Sequence, residues 1–566
     1  MKSKFLSPVL IAVALLGFSS ATFAQAPASG LAPIRQYIQH GWDELTRSMS
    51  SCDSVVDPKV SATSIMYLPA DLPTPAAVQD LQKRCKVDVE RLPKVIHGPG
   101  EIDSSNINPP GLLYLENKYV VPGGRFNEMY GWDSYFIIVG LLRDGRTDLA
   151  RGMVENFFFE IEHYGTVLNA NRTYYLTRSQ PPFLSSMVMA VYNAQKSAGK
   201  ADLSWLRKAY GYLARDYQLW THDPHLAGQT GLSRYYDFGE GPTPESLKDE
   251  THYYRKVASA FMQHPDWGRN YLVPQVEGET ATRAVGFRYT VQLCDAQTTM
   301  ATPECSPVEV LTLSPDYYKG DRSMRESGFD VSFRFGPFSA ATHHYAPVCL
   351  NSLLYKTETD LKTMSEILGQ KQDAAMWKQR AGERGRRIQT YFWDQAHGMF
   401  FDYNLDTQSK STYEYITTFY PLWAGIATPE QAKAVERNLS KFEQPGGLLM
   451  SRTESGGQWD YPYGWAPTEF LAIEGLRRYG FNDDANRVSY KFLSTVAENF
   501  RRDGNIREKY NVVTRSSEAN VSLGYAANVI GFGWTNGVFV ELLHALPADM
   551  QQRLAEEQSK AAAAKP

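Results

Sequence analysis

The sequence predicts an all-α fold of repeated helical hairpins, stacked as a solenoid or closed into a ring. Two observations carry that class. Apolar residues recur at helical spacing in Leu203 to Leu219, Leu350 to Leu368, Ala374 to Tyr391, Pro429 to Phe442, Pro467 to Tyr479, Asp484 to Phe500 and Thr535 to Leu546. The stretches between them are rich in Gly and aromatic residues, as the connections of paired helices are. Strand-like alternation is rare. The exception is Tyr271 to Tyr318, where ATRAVGFRYTVQLC and SPVEVLTLSPDYY carry β-branched residues in short alternating runs, which predicts a strand-rich insertion.

In chain order, the start reads MKSKFLSPVLIAVALLGFSSATFAQA. Lys2 and Lys4 precede an apolar run from about Val9 to Phe18, and Thr22-Phe23-Ala24 follows, a pattern expected of a signal peptide cleaved after Ala24 and of a periplasmic protein. The run is shorter than the roughly 20 residues that span a bilayer, and nothing later resembles a spanning helix, so no membrane partner is expected. Residues 25–112 are expected to wrap the catalytic domain as an extension, residues 113–548 to form that domain with its insertion at about 271–318, and 549–566 to be a charged, Ala-rich tail with a frayed helix end. The 566 residues contain no interior Gly/Ser-rich or Pro-rich linker, which favours one large domain. Five cysteines are most simply arranged as Cys52 with Cys85 and Cys294 with Cys305, leaving Cys349 over, although other pairings stay open.

Composition narrows the chemistry. Aromatic residues make up 13% of the chain, with 34 Tyr and 11 Trp, the kind of surface on which sugar faces stack, although core packing explains most of them. A formal net charge of −4 with mixed signs forms no basic stripe, which excludes an electrostatic case for nucleic acid. The His343-His344 pair has no third ligand at recognisable sequence spacing, and HExxH is absent, so no metal or other cofactor is expected. A phosphate loop, a dinucleotide fingerprint and a GxSxG elbow are also missing. What remains is carboxylates among aromatic residues and arginines, and glycosidic hydrolysis needs two carboxyls: an acid for the leaving oxygen, and a carboxylate to activate water or attack carbon.

Five segments single out the pair. They are Pro122 to Phe136 (PGGRFNEMYGWDSYF), Asn169 to Pro182 (NANRTYYLTRSQPP), Glu326 to Asp330 (ESGFD), Gln458 to Pro467 (QWDYPYGWAP) and Gly531 to Gly537 (GFGWTNG). In that order they closely resemble the motifs of the trehalases of glycoside hydrolase family 37, the first and fourth matching that family's two signature patterns. The resemblance implies an (α/α)6 barrel, a monomer acting on a small disaccharide, and hydrolysis of trehalose with inversion. It implies Asp330 as general acid and Glu508, in Arg507-Glu508-Lys509-Tyr510, as base. It also implies that Arg125, Trp132, Asp133, Asn169, Arg178, Gln180, Glu245 and Gly328 bind substrate. The residues suit these roles: Gly328 and Phe329 can bring the Asp330 carboxyl into a partly desolvated pocket, and Arg and Asp grip vicinal hydroxyls bidentately.

The chain departs from the family at the second sugar. Thr243 stands where ordinary members carry Arg, Tyr525 where they carry Glu, and the strand-rich insertion enters between Glu245 and Asp330. A modified trehalose, another α-glucoside, or a catalytically dead sugar-binding protein are the alternatives this raises.

Overall fold

The structure, a computed structural model, describes residues 29–57, 63–244, 251–267, 271–274, 289–293, 306–524 and 528–563. Among them, the helices Asp133–Arg143, Leu184–Ser197, Val348–Ile367, Tyr420–Ala424, Ala466–Arg478 and Gly533–Ala545 each pack on the next, and the last packs on the first. They form a closed inner ring. Each is followed in sequence by an outer helix: Thr147–His163, Leu203–Thr221, Lys371–Tyr391, Pro429–Arg437, Asn482–Asp503 and Ala548–Ala563. This is the (α/α)6 barrel that the motifs implied.

The two layers follow from different sequence patterns. Outer helices carry one apolar stripe: in Leu203–Thr221 the buried residues are Trp205, Leu206, Ala209, Leu213, Asp216, Tyr217 and Trp220, at helical spacing. Inner helices are covered all round. In DSYFIIVGLLR (Asp133–Arg143) almost every side chain is buried, so no polar face exists for periodicity to detect. Helical spacing does not single out Asp133–Arg143 or the five-residue Tyr420–Ala424, although it does pick out the equally buried Gly533–Ala545.

The ring closes where its first and last helices touch. A Cβ at Gly537 would lie 2.0 Å from the Phe136 carbonyl oxygen, and one at Gly140 would lie 2.4 Å from the Gly537 Cα. Only glycine at both positions allows this backbone contact. The helix Ala32–Glu44 covers the seam: Trp42 packs beneath Gly140 and donates its indole N–H to Asp144 at 2.8 Å, while Arg35 pairs with the same carboxylate at 2.6 Å.

The remaining elements are small. Ser64–Leu68 pairs in parallel with Val87–Arg91 and Leu112–Leu113, and a Cys52–Cys85 disulfide lies beside this sheet. Cys349 is a free, buried thiol, and Cys294 and Cys305 lie outside the described residues. Strands Leu272–Pro274, Tyr289–Leu293 and Ser306–Leu313 form an antiparallel sheet with the third strand in the middle. The end of the expected insertion is helical instead, Pro315–Glu326, because Ser314 caps it by accepting from the Tyr317 amide and Pro315 occupies its first turn. The last helix, Ala548–Ala563, buries Leu554 and Ala555, packs on Asn482–Asp503 and runs on into the charged, Ala-rich tail. Among the described residues no helix is long and apolar enough to cross a membrane.

The seam yields a paired prediction. Gly537→Ala forces a methyl into backbone and should cost about 1–3 kcal/mol or more. Gly211→Ala, in the outer helix Leu203–Thr221 with open space around the new Cβ, should gain about 0.5–1 kcal/mol. Thermal melts of both variants check the opposite signs.

Candidate active site

The five motif segments end at or run into the N-termini of inner helices or the loops leading to them, so the barrel gathers them at one end. Hydrogen bonds then join them in a circuit. The Gly131 amide donates to the Asn169 carbonyl at 3.1 Å, and the Trp132 amide to Gln180 Oε1 at 2.9 Å, tying the first segment to the second. The Ser179 amide donates to Glu326 Oε1 at 3.3 Å, which reaches the third. Gln458 Nε2 donates to the Asp330 carbonyl, and the Trp459 amide to the Val331 carbonyl at 3.1 Å, which reaches the fourth. Strand Tyr463–Trp465 pairs with Lys509–Asn511, beside Glu508. Trp534 in the fifth donates its indole N–H to the Glu508 carbonyl at 3.1 Å, and the Gly533 amide returns to Pro122 at 2.6 Å.

Two carboxylates, Glu508 and Asp330, lie within electrostatic reach of a third, Asp133. Asp133, in the first turn of the first inner helix, is 4% exposed. Burial holds its carboxyl well above the usual carboxylate range; a hydrogen bond to its own backbone amide opposes this, and the Glu508 and Asp330 carboxylates add to it. Glu508 is 8% exposed and pairs through Oε2 with the buried Lys509 ammonium at 2.9 Å. Lys509 lies in turn over the Trp465 ring, 4.9 Å from its centroid.

The wall beneath is aromatic. Trp459 stacks on Trp465 at 3.8 Å, and Trp132 contacts Trp459 at 5.7 Å, Trp534 at 5.8 Å and Phe329 at 5.6 Å. Trp132 is only 2% exposed, so its faces are mostly used by neighbouring rings. Gly328 explains part of that closeness. Its φ is +76°, and an added Cβ would meet the Trp132 ring at 3.0 Å, so glycine is required twice over.

The other sequence candidates divide. Asn169 is buried, its side-chain amide 3.4 Å from the Ser179 carbonyl and 3.5 Å from that of Arg325. Arg178 is buried 3.8 Å from Asp237 and stacks over Tyr175. Burial pushes the Asp237 carboxyl up, but the Arg322 and Arg178 guanidiniums outweigh it and hold it below the usual range. Gln180 orients Trp132 through the amide bond given above. Arg125 is exposed, its guanidinium 4.7 Å above the Phe126 ring. Thr243 is buried against the Tyr254 hydroxyl, which donates to Asp321. Glu245 and Tyr525 lie outside the described residues.

Sequence reasoning missed the residues that hold these loops together. Glu326 is fully buried and accepts from the Tyr236 amide at 2.6 Å as well as from Ser179 and lies 3.3 Å from His225. Asp460 accepts from the Phe333 amide, Tyr413, Ser451 and Ser455, and burial still raises its carboxyl to about 6. The signal was present: Glu326, Gln458 and Asp460 are polar residues inside aromatic-rich motifs.

Residues 31–274 and 313–547 match the family model described as Trehalase. The chain belongs to the trehalase family. The interval that model leaves unmatched holds strand Tyr289–Leu293 and most of Ser306–Leu313. Among trehalase relatives, a cytosolic neutral trehalase of Saccharomyces cerevisiae is 35% identical, covering 88% of this chain and 69% of that protein. One from Neurospora crassa is 35% identical, covering 91% and 73%. The solved structure of a neutral trehalase from S. cerevisiae superposes with a TM-score of 0.75 at 32% identity, covering 94% of this chain and 96% of that one. The names of these relatives correct the expectation of a periplasmic location and a cleaved signal peptide, because they are cytosolic trehalases. The apolar run Val9 to Phe18 that prompted that expectation lies outside the described residues.

A buried carboxylate under the second segment gives a pH prediction. Asp216 Oδ1 accepts from the Val167 amide at 3.3 Å and Thr166 at 3.1 Å, just before Asn169. Burial nevertheless raises its carboxyl to about 6. Below pH about 4 both folded and unfolded chains hold this proton. Between about 4 and about 6 only the unfolded chain releases it, so stability is lost as pH rises, by about 3 kcal/mol. Asp216→Asn keeps an acceptor oxygen but cannot ionise. Its melting temperature should gain on the unsubstituted chain across that window, and a pH-independent difference between the two contradicts the assignment.

Proposed function

We infer that the chain is an α,α-trehalase, a glycoside hydrolase that converts trehalose and water to two glucose molecules. The observation that carries the reading is that Asp330 and Glu508 both lie within electrostatic reach of Asp133, in a chain that belongs to the trehalase family over most of its length.

In the proposed reaction Asp330 is the general acid. It gives its proton to the glycosidic oxygen as the bond from that oxygen to the anomeric carbon breaks. Glu508 is the base. It takes a proton from a water that attacks the same carbon from the opposite face, so the configuration inverts and one α-glucose and one β-glucose leave. Lys509 and the backbone bond from Trp534 fix Glu508 in place, while Gln458 holds the Asp330 carbonyl and the Trp459 amide holds the next one, that of Val331.

Asp133, whose carboxyl burial disfavours ionising, is proposed to bind a hydroxyl of the glucose being cleaved, together with Arg178, Asn169 and Gln180. Arg125 is proposed at the exposed edge, and Trp132 and Gly328 as the packed floor that sets the loop positions. Glu245 is proposed to contact the second sugar.

Asp330→Asn and Glu508→Gln test the roles. Each should lower kcat on trehalose by about 10²–10⁴-fold with KM much less affected, because each removes a proton transfer and leaves the binding groups in place. A sugar-binding protein without catalysis would show no turnover to lose, and normal turnover in either variant removes that residue from the mechanism.

A further inference from the structure

The histidine pair that had no partner in the sequence acquires one in space. His343 Nε2 lies 3.0 Å from Asp316 Oδ1, and His344 Nε2 lies 3.1 Å from the same oxygen. The three ligand atoms all fall within 4.8 Å of one another. Asp316 comes from the first turn of helix Pro315–Glu326, twenty-seven and twenty-eight positions before the histidines, so no local spacing reveals the group.

We propose that Asp316, His343 and His344 form a binding site for a divalent cation of the Zn²⁺ class. Two imidazole nitrogens and one carboxylate oxygen suit a borderline cation such as Zn²⁺, whereas Mg²⁺ and Ca²⁺ favour all-oxygen sets. A tetrahedral ion at its usual bond lengths needs ligand atoms about 3.4 Å apart, so the two contacts of Asp316 with the histidines need open by only about 0.3–0.4 Å.

One further contact suits a metal site. His344 uses its other nitrogen, Nδ1, on Asp406 Oδ1 at 3.1 Å. A carboxylate on the far nitrogen of a ligating histidine fixes its tautomer and aims Nε2 at the metal. The His343 carbonyl accepts from Arg234 at 3.0 Å, which holds the backbone of the pair. The side chains of Asp316 and His344 are 40% and 21% exposed, so the fourth position of the cation faces water. The cation would pin three separate pieces together: the helix that leads into ESGFD, the 342–346 corner and the 403–410 hairpin. This site is independent of the catalytic reading.

The test uses untagged full-length protein, stripped with EDTA and dialysed. Titration with ZnCl₂ by calorimetry should show one saturable equivalent, and Co²⁺ should give the absorption of a cation with nitrogen ligands. The His343→Gln/His344→Gln double variant should lose that equivalent, and its circular-dichroism melt verifies its folding. Asp316→Asn, at a more exposed position, should weaken binding even where the double variant folds poorly. Asp406→Asn should keep the stoichiometry and weaken affinity about 10–100-fold. Zn²⁺ should raise the melting temperature of the unsubstituted chain and leave the double variant unchanged. No saturable equivalent, or equal binding by the unsubstituted chain and the Asp316→Asn variant, overturns the proposal and leaves an ordinary aspartate–histidine ion-pair cluster.

Discussion

Closure of the inner ring is the constraint on which the rest of the molecule depends. Six helices close a circle because the first and last approach to backbone contact at Gly140 and Gly537. Each inner helix is entered from the same end, so the loops before Asp133, Leu184, Val348, Ala466 and Gly533 arrive together. Long loops bearing many polar groups are stable there because they bond to each other, through Gln180, Glu326, Gln458 and Asp460. Helix N-termini facing the site also favour anionic groups, which suits a place where two carboxylates lie within electrostatic reach of a third.

The same geometry creates the electrostatic tension the chemistry needs. A carboxyl buried as deeply as Asp133, beside two others, resists ionisation. Lys509, itself buried under Trp465, places the opposing charge on Glu508 and not on Asp133. One wall therefore holds the proposed base Glu508 and the proposed sugar-binding Asp133 in different electrostatic settings. The stacked Trp459 and Trp465, with Trp132 and Trp534, keep that wall rigid.

Much of the barrel was legible in the sequence, four outer helices and three inner ones among it. Leu203–Thr221 and Asn482–Asp503 show their stripes plainly, whereas Asp133–Arg143 is buried all round and Tyr420–Ala424 is too short for a period. The catalytic candidates were legible because each lies in a contiguous motif. Glu326 and Asp460 lie in such motifs too, but their role as anchors was not legible, because their partners at Tyr236 and Phe333 come from other segments. Asp316 was hidden from His343 in the same way. The surroundings of Trp132 and Arg125 are not carried by the sequence: neighbouring rings cover the first, and the second lies over Phe126. Location was misjudged because charge and apolarity at the chain start resemble an export signal, while the named relatives are cytosolic.

The most direct measurement on the central claim is proton NMR of trehalose cleavage, recorded before the product anomers equilibrate. Asp330 as acid and Glu508 as base, acting on water from the opposite face, predict initial release of α- and β-glucose in equal amounts. Initial release of α-glucose alone would mean retention and a covalent intermediate, and no release at all would mean that trehalose is not the substrate; either result contradicts the assignment.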